Sequence, residues 1–123
     1  MYKYKADYTN TFCSLMKEDI KKEKLFKNST FVEWHKRWSV RVTKNKKSPE
    51  LSLNLMRNNN PLVIPRNHKV EESLNAASNN TNLIPLHDLL KYLKNPYENK
   101  LGISNYQKAP EPNGKIYKTF CGT

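Results

Sequence analysis

The chain has 123 residues, with 22 Lys and Arg against 11 Asp and Glu, a formal net charge of +11; that length suits one small domain and leaves little room for two. Only 37% of residues are hydrophobic and the mean hydropathy is -0.88, which excludes a large self-sufficient core, while 11% aromatics argue against full disorder. No run approaches a membrane span, the N-terminus lacks the apolar centre of a signal peptide, and two cysteines near opposite ends, Cys13 and Cys121, make no disulfide framework, so a reducing intracellular compartment and no membrane partner are expected.

In chain order, Phe12, Leu15, Met16 and Ile20 fall at helical spacing behind Asp7, Thr9 or Asn10 as caps. The charged stretch from Lys21 to Asn28 either extends that helix or connects it to the next. Thr30 and Glu33 have the spacing of a capping box, and Phe31, Trp34, His35, Trp38 and Val42 then mark one face of a helix. Two tryptophans on such a stripe read as core rather than as a platform for a base, and His35 as a packed histidine.

Ser48 as cap, Pro49 in the first helical position and Glu50 in the first turn open another helix, faced by Leu51, Leu55 and Met56 and stopped by Asn58 to Pro61. Pro61 and Pro65 hold Leu62 to Ile64 extended, and prolines without amide hydrogens bar a central strand there. Asn67 is the expected cap of the next helix, with Val70, Leu74 and Ala77 on its face and Glu71 and Glu72 in its first turns. After the Asn79 to Asn82 run, Pro85 starts a helix with a Leu86, Leu89, Leu90, Leu93 stripe, ended by Asn95 and Pro96. Beyond Tyr97 the periodicity is lost, and Tyr106, Ile116, Tyr117 and Phe120 make the tail apolar enough to dock on a larger body. The expected class is therefore mainly α, a single segment over 1–123 of several short amphipathic helices plus an irregular extended C-terminal tail.

Reaction centres are hard to assemble from these residues. Three glycines cannot make a phosphate loop, and His35, His68, His87, Cys13 and Cys121 lack the short-range pairing of a zinc site. Arg66, Asn67 and His68 form the densest polar cluster, readable as an anion contact at a helix N-terminus or, more simply, as a cap with an arginine tie. The basic excess is nearly all lysine, since arginine is confined to Arg37, Arg41, Arg57 and Arg66. A guanidinium fork reads phosphates and bases bidentately, so a solvated basic surface is favoured over a nucleic-acid face. A free-standing basic helical module that binds nucleic acid or another protein remains the alternative.

The stretch LMRNNNPLVIPRNHKVEESL (Leu55 to Leu74) is the most specific in the chain. Together with DYTNTF (Asp7 to Phe12), Trp34 and Trp38 ahead of Arg41, LLKYLKNPYE (Leu89 to Glu98) and the terminal YKTFCGT (Tyr117 to Thr123), it resembles the C-terminal portion of the selenoprotein O (SelO) family of protein adenylyltransferases. The resemblance implies a helical extension packed on an atypical kinase-like fold. It also implies AMP transfer from ATP, with Mg2+ or Mn2+, to hydroxyl side chains of protein substrates by the full-length family. The nucleotide and metal ligands lie upstream of the matched region, so no catalytic, cofactor or metal residue is expected here, and the upstream kinase-like lobe is the expected partner. Cys121 stands where the family carries a terminal selenocysteine or cysteine and is a candidate redox residue. Arg66, Asn67 and His68 become candidate contacts to the missing lobe. The compartment implied is the cytoplasm of a bacterium, or the mitochondrion of a eukaryote.

Overall fold

In the computed structural model the described residues are 6–17, 20, 24–44 and 48–110, and among them six α-helices and one 3-10 turn form, with no strand. The fold is mainly helical, as the periodicity predicts. The chain divides into two compact units, residues 1–62 and 63–123. No helix among the described residues is long and apolar enough to cross a membrane.

The first unit opens with α1 (Tyr8–Ser14), capped by Asp7, whose Oδ1 accepts from the Asn10 amide at 2.8 Å. The helix ends at Leu15, earlier than the Phe12 to Ile20 spacing suggests, and Thr11, Cys13, Leu15 and Ile20 are buried. Cys13 donates its thiol to the Pro61 carbonyl at 3.4 Å, tying α1 to the end of the unit. A 3-10 turn (Lys24–Lys27) precedes α2 (Ser29–Lys44). The α2 start corrects the capping-box expectation: Asn28 Oδ1 accepts from the Phe31 amide at 3.1 Å, and Thr30 and Glu33 are exposed. An asparagine two residues earlier caps the Phe31 amide, an orphan donor of the first turn, and so sets the helix start. Helix α3 (Pro49–Asn59) begins as the sequence predicts, with Ser48 Oγ accepting from the Leu51 amide at 3.2 Å and Pro49 in the first turn. Neither α2 nor α3 contains a buried residue.

The second unit is better filled. Extended residues 63–66 lead into α4 (Asn67–Asn80), which packs on α5 (Ile84–Leu93). Ser73, 3% exposed, sits in that contact: its hydroxyl lies 2.8 Å from the Lys69 carbonyl and 3.3 Å from the Pro85 carbonyl across it. Thr81 ends α4 in the left-handed region at φ 50°, and Asn82 Oδ1 accepts from the Ile84 amide at 3.1 Å, so two adjacent polar residues turn the chain between the helices. Val63, Leu89, Tyr92 and Ile103 are the buried apolar residues of this unit, and the Val63 amide donates to the Pro96 carbonyl at 3.4 Å.

The stretch after α5 is more ordered than its lost periodicity suggests. Tyr92 donates its hydroxyl to the Leu101 carbonyl at 2.7 Å and packs on Tyr106 at a centroid distance of 4.5 Å, within the short helix α6 (Ser104–Gln107). Between them Gly102 adopts φ +82°, and a Cβ there would stand 2.8 Å from the Tyr92 oxygen. Glycine is required on both counts, the dihedral and the close approach.

Candidate functional site

The Arg66, Asn67, His68 cluster lies where the extended segment becomes α4. Arg66, and not Asn67, is the N-cap residue: its ψ of 128° is extended, no side chain caps the helix, and Asn67 is already helical and exposed. The reason is local. Arg66 is itself only 8% exposed, and its carbonyl accepts from the Lys69 and Val70 amides at 2.9 and 3.0 Å, so burial of the arginine fixes the helix start without an asparagine cap. Glu71 and Glu72 consequently fall beyond the first turn, and Glu72 pairs with Lys69 at 2.7 Å.

His68 faces a groove of about 420 Å³ whose walls are Lys69 and Glu72 on α4 and Asn105, Tyr106, Lys108 and Pro110 opposite. Its Nδ1 is buried with no hydrogen-bond partner among the described residues. Burial holds the imidazole below its ordinary pKa, and the Lys69 and Arg66 charges add to this while Glu72 opposes it. Burial likewise raises the Tyr106 phenol, assisted by Asp88, Tyr92 and Glu72. A neutral imidazole and a protonated phenol on one groove can bind a polar group, but neither is set up as a general base with a nucleophile beside it.

Among the described residues no three His, Cys, Asp or Glu side chains are grouped to hold a metal ion, and the groove's one carboxylate, Glu72, is engaged by Lys69. Cys121 lies outside the described residues, as do Ile116, Tyr117 and Phe120.

Two features were not singled out from the sequence. Asn105, Tyr106 and Lys108 join the His68 groove from a stretch without periodicity, which carried no signal. A second hollow of about 390 Å³ gathers His87, Lys91 and Lys94, at i, i+4 and i+7 along α5, with Lys100 and a floor at Leu90. That spacing was visible, although Lys100 is engaged by Glu98 at 3.3 Å.

A mainly helical segment of short amphipathic helices is the class that these features define, and comparison with known proteins says what it is similar to. The chain is 46% identical over all its 123 residues to the protein nucleotidyltransferase YdiU of Bacillus cereus, and similarly to that of Bacillus thuringiensis subsp. konkukian; the Bacillus mycoides protein of the same name is 45% identical. In each case the chain spans 25% of the relative's length, matching its C-terminal portion. The chain is therefore similar, over its whole length, to the C-terminal portion of the protein nucleotidyltransferases named YdiU. No family model matches it, and no solved structure does.

Proposed function

We propose that this chain acts as the C-terminal helical extension of a SelO-type protein adenylyltransferase. The whole protein transfers AMP from ATP, with Mg2+ or Mn2+, to Ser, Thr or Tyr hydroxyls of other proteins. What carries the reading is 46% identity across the whole chain against one quarter of each relative. The nucleotide and metal ligands then belong to the upstream three quarters, and this chain supplies structure. Arg66, Asn67 and His68 are contacts to that body, and Cys121 is a redox tail whose thiol forms a disulfide with a second thiol by exchange with an oxidised dithiol. The protein works in the cytoplasm of a bacterium, or in the mitochondrion of a eukaryote.

The test is to replace the C-terminal quarter of the Bacillus cereus relative by this chain and follow label from ATP into protein. The full-length chimera is expected to transfer AMP at a rate comparable to the natural protein, and the 123-residue chain alone to transfer none. AMP transfer by the chain alone, or a folded but inactive chimera, would contradict the reading.

A further inference from the structure

Helix α5 has two apolar faces, and only one of them is covered. Leu89 and Tyr92 are 3% and 9% exposed, whereas Leu83, Ile84, His87, Leu90, Lys91 and Lys94 are all exposed, Leu83 to 48%, Ile84 to 69% and Leu90 to 42%. Spacing puts these six on one outward arc. Leu83, His87, Leu90 and Lys94 fall at i, i+4, i+7 and i+11, and Ile84, His87 and Lys91 at i, i+3 and i+7. The hollow of about 390 Å³ opens on this arc, with Leu90 as its floor and His87, Lys91 and Lys94 around it. Exposed aliphatics scattered singly are ordinary, but three aligned on one helix face and rimmed by cations are an interaction surface.

The charge around the strip selects the partner. Lys91 and Lys94 form no ion pair among the described residues, Glu98 is engaged by Lys100, and Asp88 of α5 lies outside the hollow's lining and acts on the Tyr106 phenol instead. Uncompensated ammonium groups call for carboxylates or phosphates. A nucleic-acid strand fits poorly, because the lining has no arginine fork and His87 is its one ring, whereas single strands are held by successive aromatic platforms. Its phosphates would also leave the aliphatic strip in water. A second copy of the chain would set the same ammonium groups against one another. A permanent cover fits no better, since interfaces that stay closed are predominantly apolar and interface cores are depleted of lysine. Carboxylates on one side and aliphatic side chains on the other, held reversibly, satisfy both the cations and the strip.

We infer that the outward face of α5 docks an acidic amphipathic helix of a separate protein, whose aliphatic side chains lie on Ile84 and Leu90 and whose carboxylates meet His87, Lys91 and Lys94. Such docking needs only residues 83–94 of this chain, and the extension role neither requires nor supplies it.

Titration of the isotope-labelled 123-residue chain with a synthetic amphipathic helix of glutamate, alanine and leucine, followed by amide chemical shifts, tests it. Amides from His87 to Lys94 are expected to shift, and polyglutamate and oligouridine to bind about tenfold more weakly, the loss of one aliphatic contact's worth of affinity. Lys91→Glu combined with Lys94→Glu should weaken the synthetic helix about tenfold by turning two exposed pairs into repulsions. Lys36→Glu combined with Arg41→Glu on α2, the same change in net charge, should leave its affinity unchanged. Shifts confined to other helices, equal weakening by the two double substitutions, or polyglutamate or oligouridine binding as tightly as the synthetic helix would overturn the inference. Shifts of these amides as the chain alone is concentrated assign the face to a second copy, and amine labelling of Lys91 and Lys94 that is lost in the full-length chimera assigns it to the upstream body; either result also overturns the inference. Labelling of both lysines in the chimera equal to that in the chain alone is expected.

Discussion

Helices α2 and α5 look alike in sequence, each an amphipathic stripe of large apolar residues behind a clear start signal, but they end in different states. Leu89 and Tyr92 of α5 are 3% and 9% exposed: α4 packs on this helix, with Ser73 reaching the Pro85 carbonyl, and Tyr92 donates its hydroxyl to the Leu101 carbonyl. The α2 stripe has no fully buried residue, although it is the more aromatic of the two and each of Phe31, Trp34, His35, Trp38 and Val42 is partly covered. A stripe at helical spacing states which face seeks cover; it does not state that the cover lies in the same chain.

Substitutions should separate the two regions sharply. The largest effect is expected from Leu89→Ala, a buried truncation that costs about 3 kcal/mol by urea unfolding, against under about 0.5 kcal/mol for Leu55→Ala on α3, which is 56% exposed in the structure. Equal costs at the two positions would erase the distinction between the units. Next comes Gly102→Ala, which forces a left-handed backbone on alanine and pushes a methyl against the Tyr92 hydroxyl; about 2 kcal/mol is expected. Tyr92→Phe at the same contact removes one hydrogen bond and should cost about 1 kcal/mol. Finding Tyr92→Phe the more damaging would show that the glycine is not under the constraint described.

Of similar size is the loss of the α3 cap in Ser48→Ala, about 1 kcal/mol in helix stability, read as a drop in helical circular dichroism on warming rather than as a shift of the main transition. The smallest effect is in pH dependence. His68 is held below its ordinary pKa in the folded chain, so the unfolded chain takes up its proton first, and stability is complete above about pH 6.5 and declines as pH falls below it. His68→Gln should flatten that acid limb of the urea midpoint. A midpoint that rises on acidification, or an unchanged slope in the variant, would contradict the environment described for His68.

Much of the helical architecture was legible, and the misreadings have physical reasons. Ser48, Pro49, Pro61 and Pro85 act through local backbone geometry, which the sequence carries in full, and each does what its position predicts. Asn67 and Thr30 were misread because capping is decided by where the helix is forced to begin, and that depends on burial of Arg66 and on the competing Asn28. The tryptophan stripe, which local pattern reads as core, is largely covered, with Trp34 and Trp38 packed among Phe31 and His35 and none of them exposed. At the candidate site, Arg66 and His68 were legible as a polar cluster, but the groove's far wall at Asn105, Tyr106 and Lys108 has no periodicity and becomes visible only when the Tyr92 and Gly102 contacts fold it back. The likeness to the C-terminal portion of a protein nucleotidyltransferase was legible from the Leu55 to Leu74 string.

The most direct measurement of the central contrast is native-state hydrogen exchange on the 123-residue chain by itself. Because α2 has no fully buried residue while α5 buries Leu89 and Tyr92, amides of Val32 to Val42 should exchange with protection far below those of Leu89 to Leu93. Equal protection of α2 and α5 in the isolated chain would contradict the account.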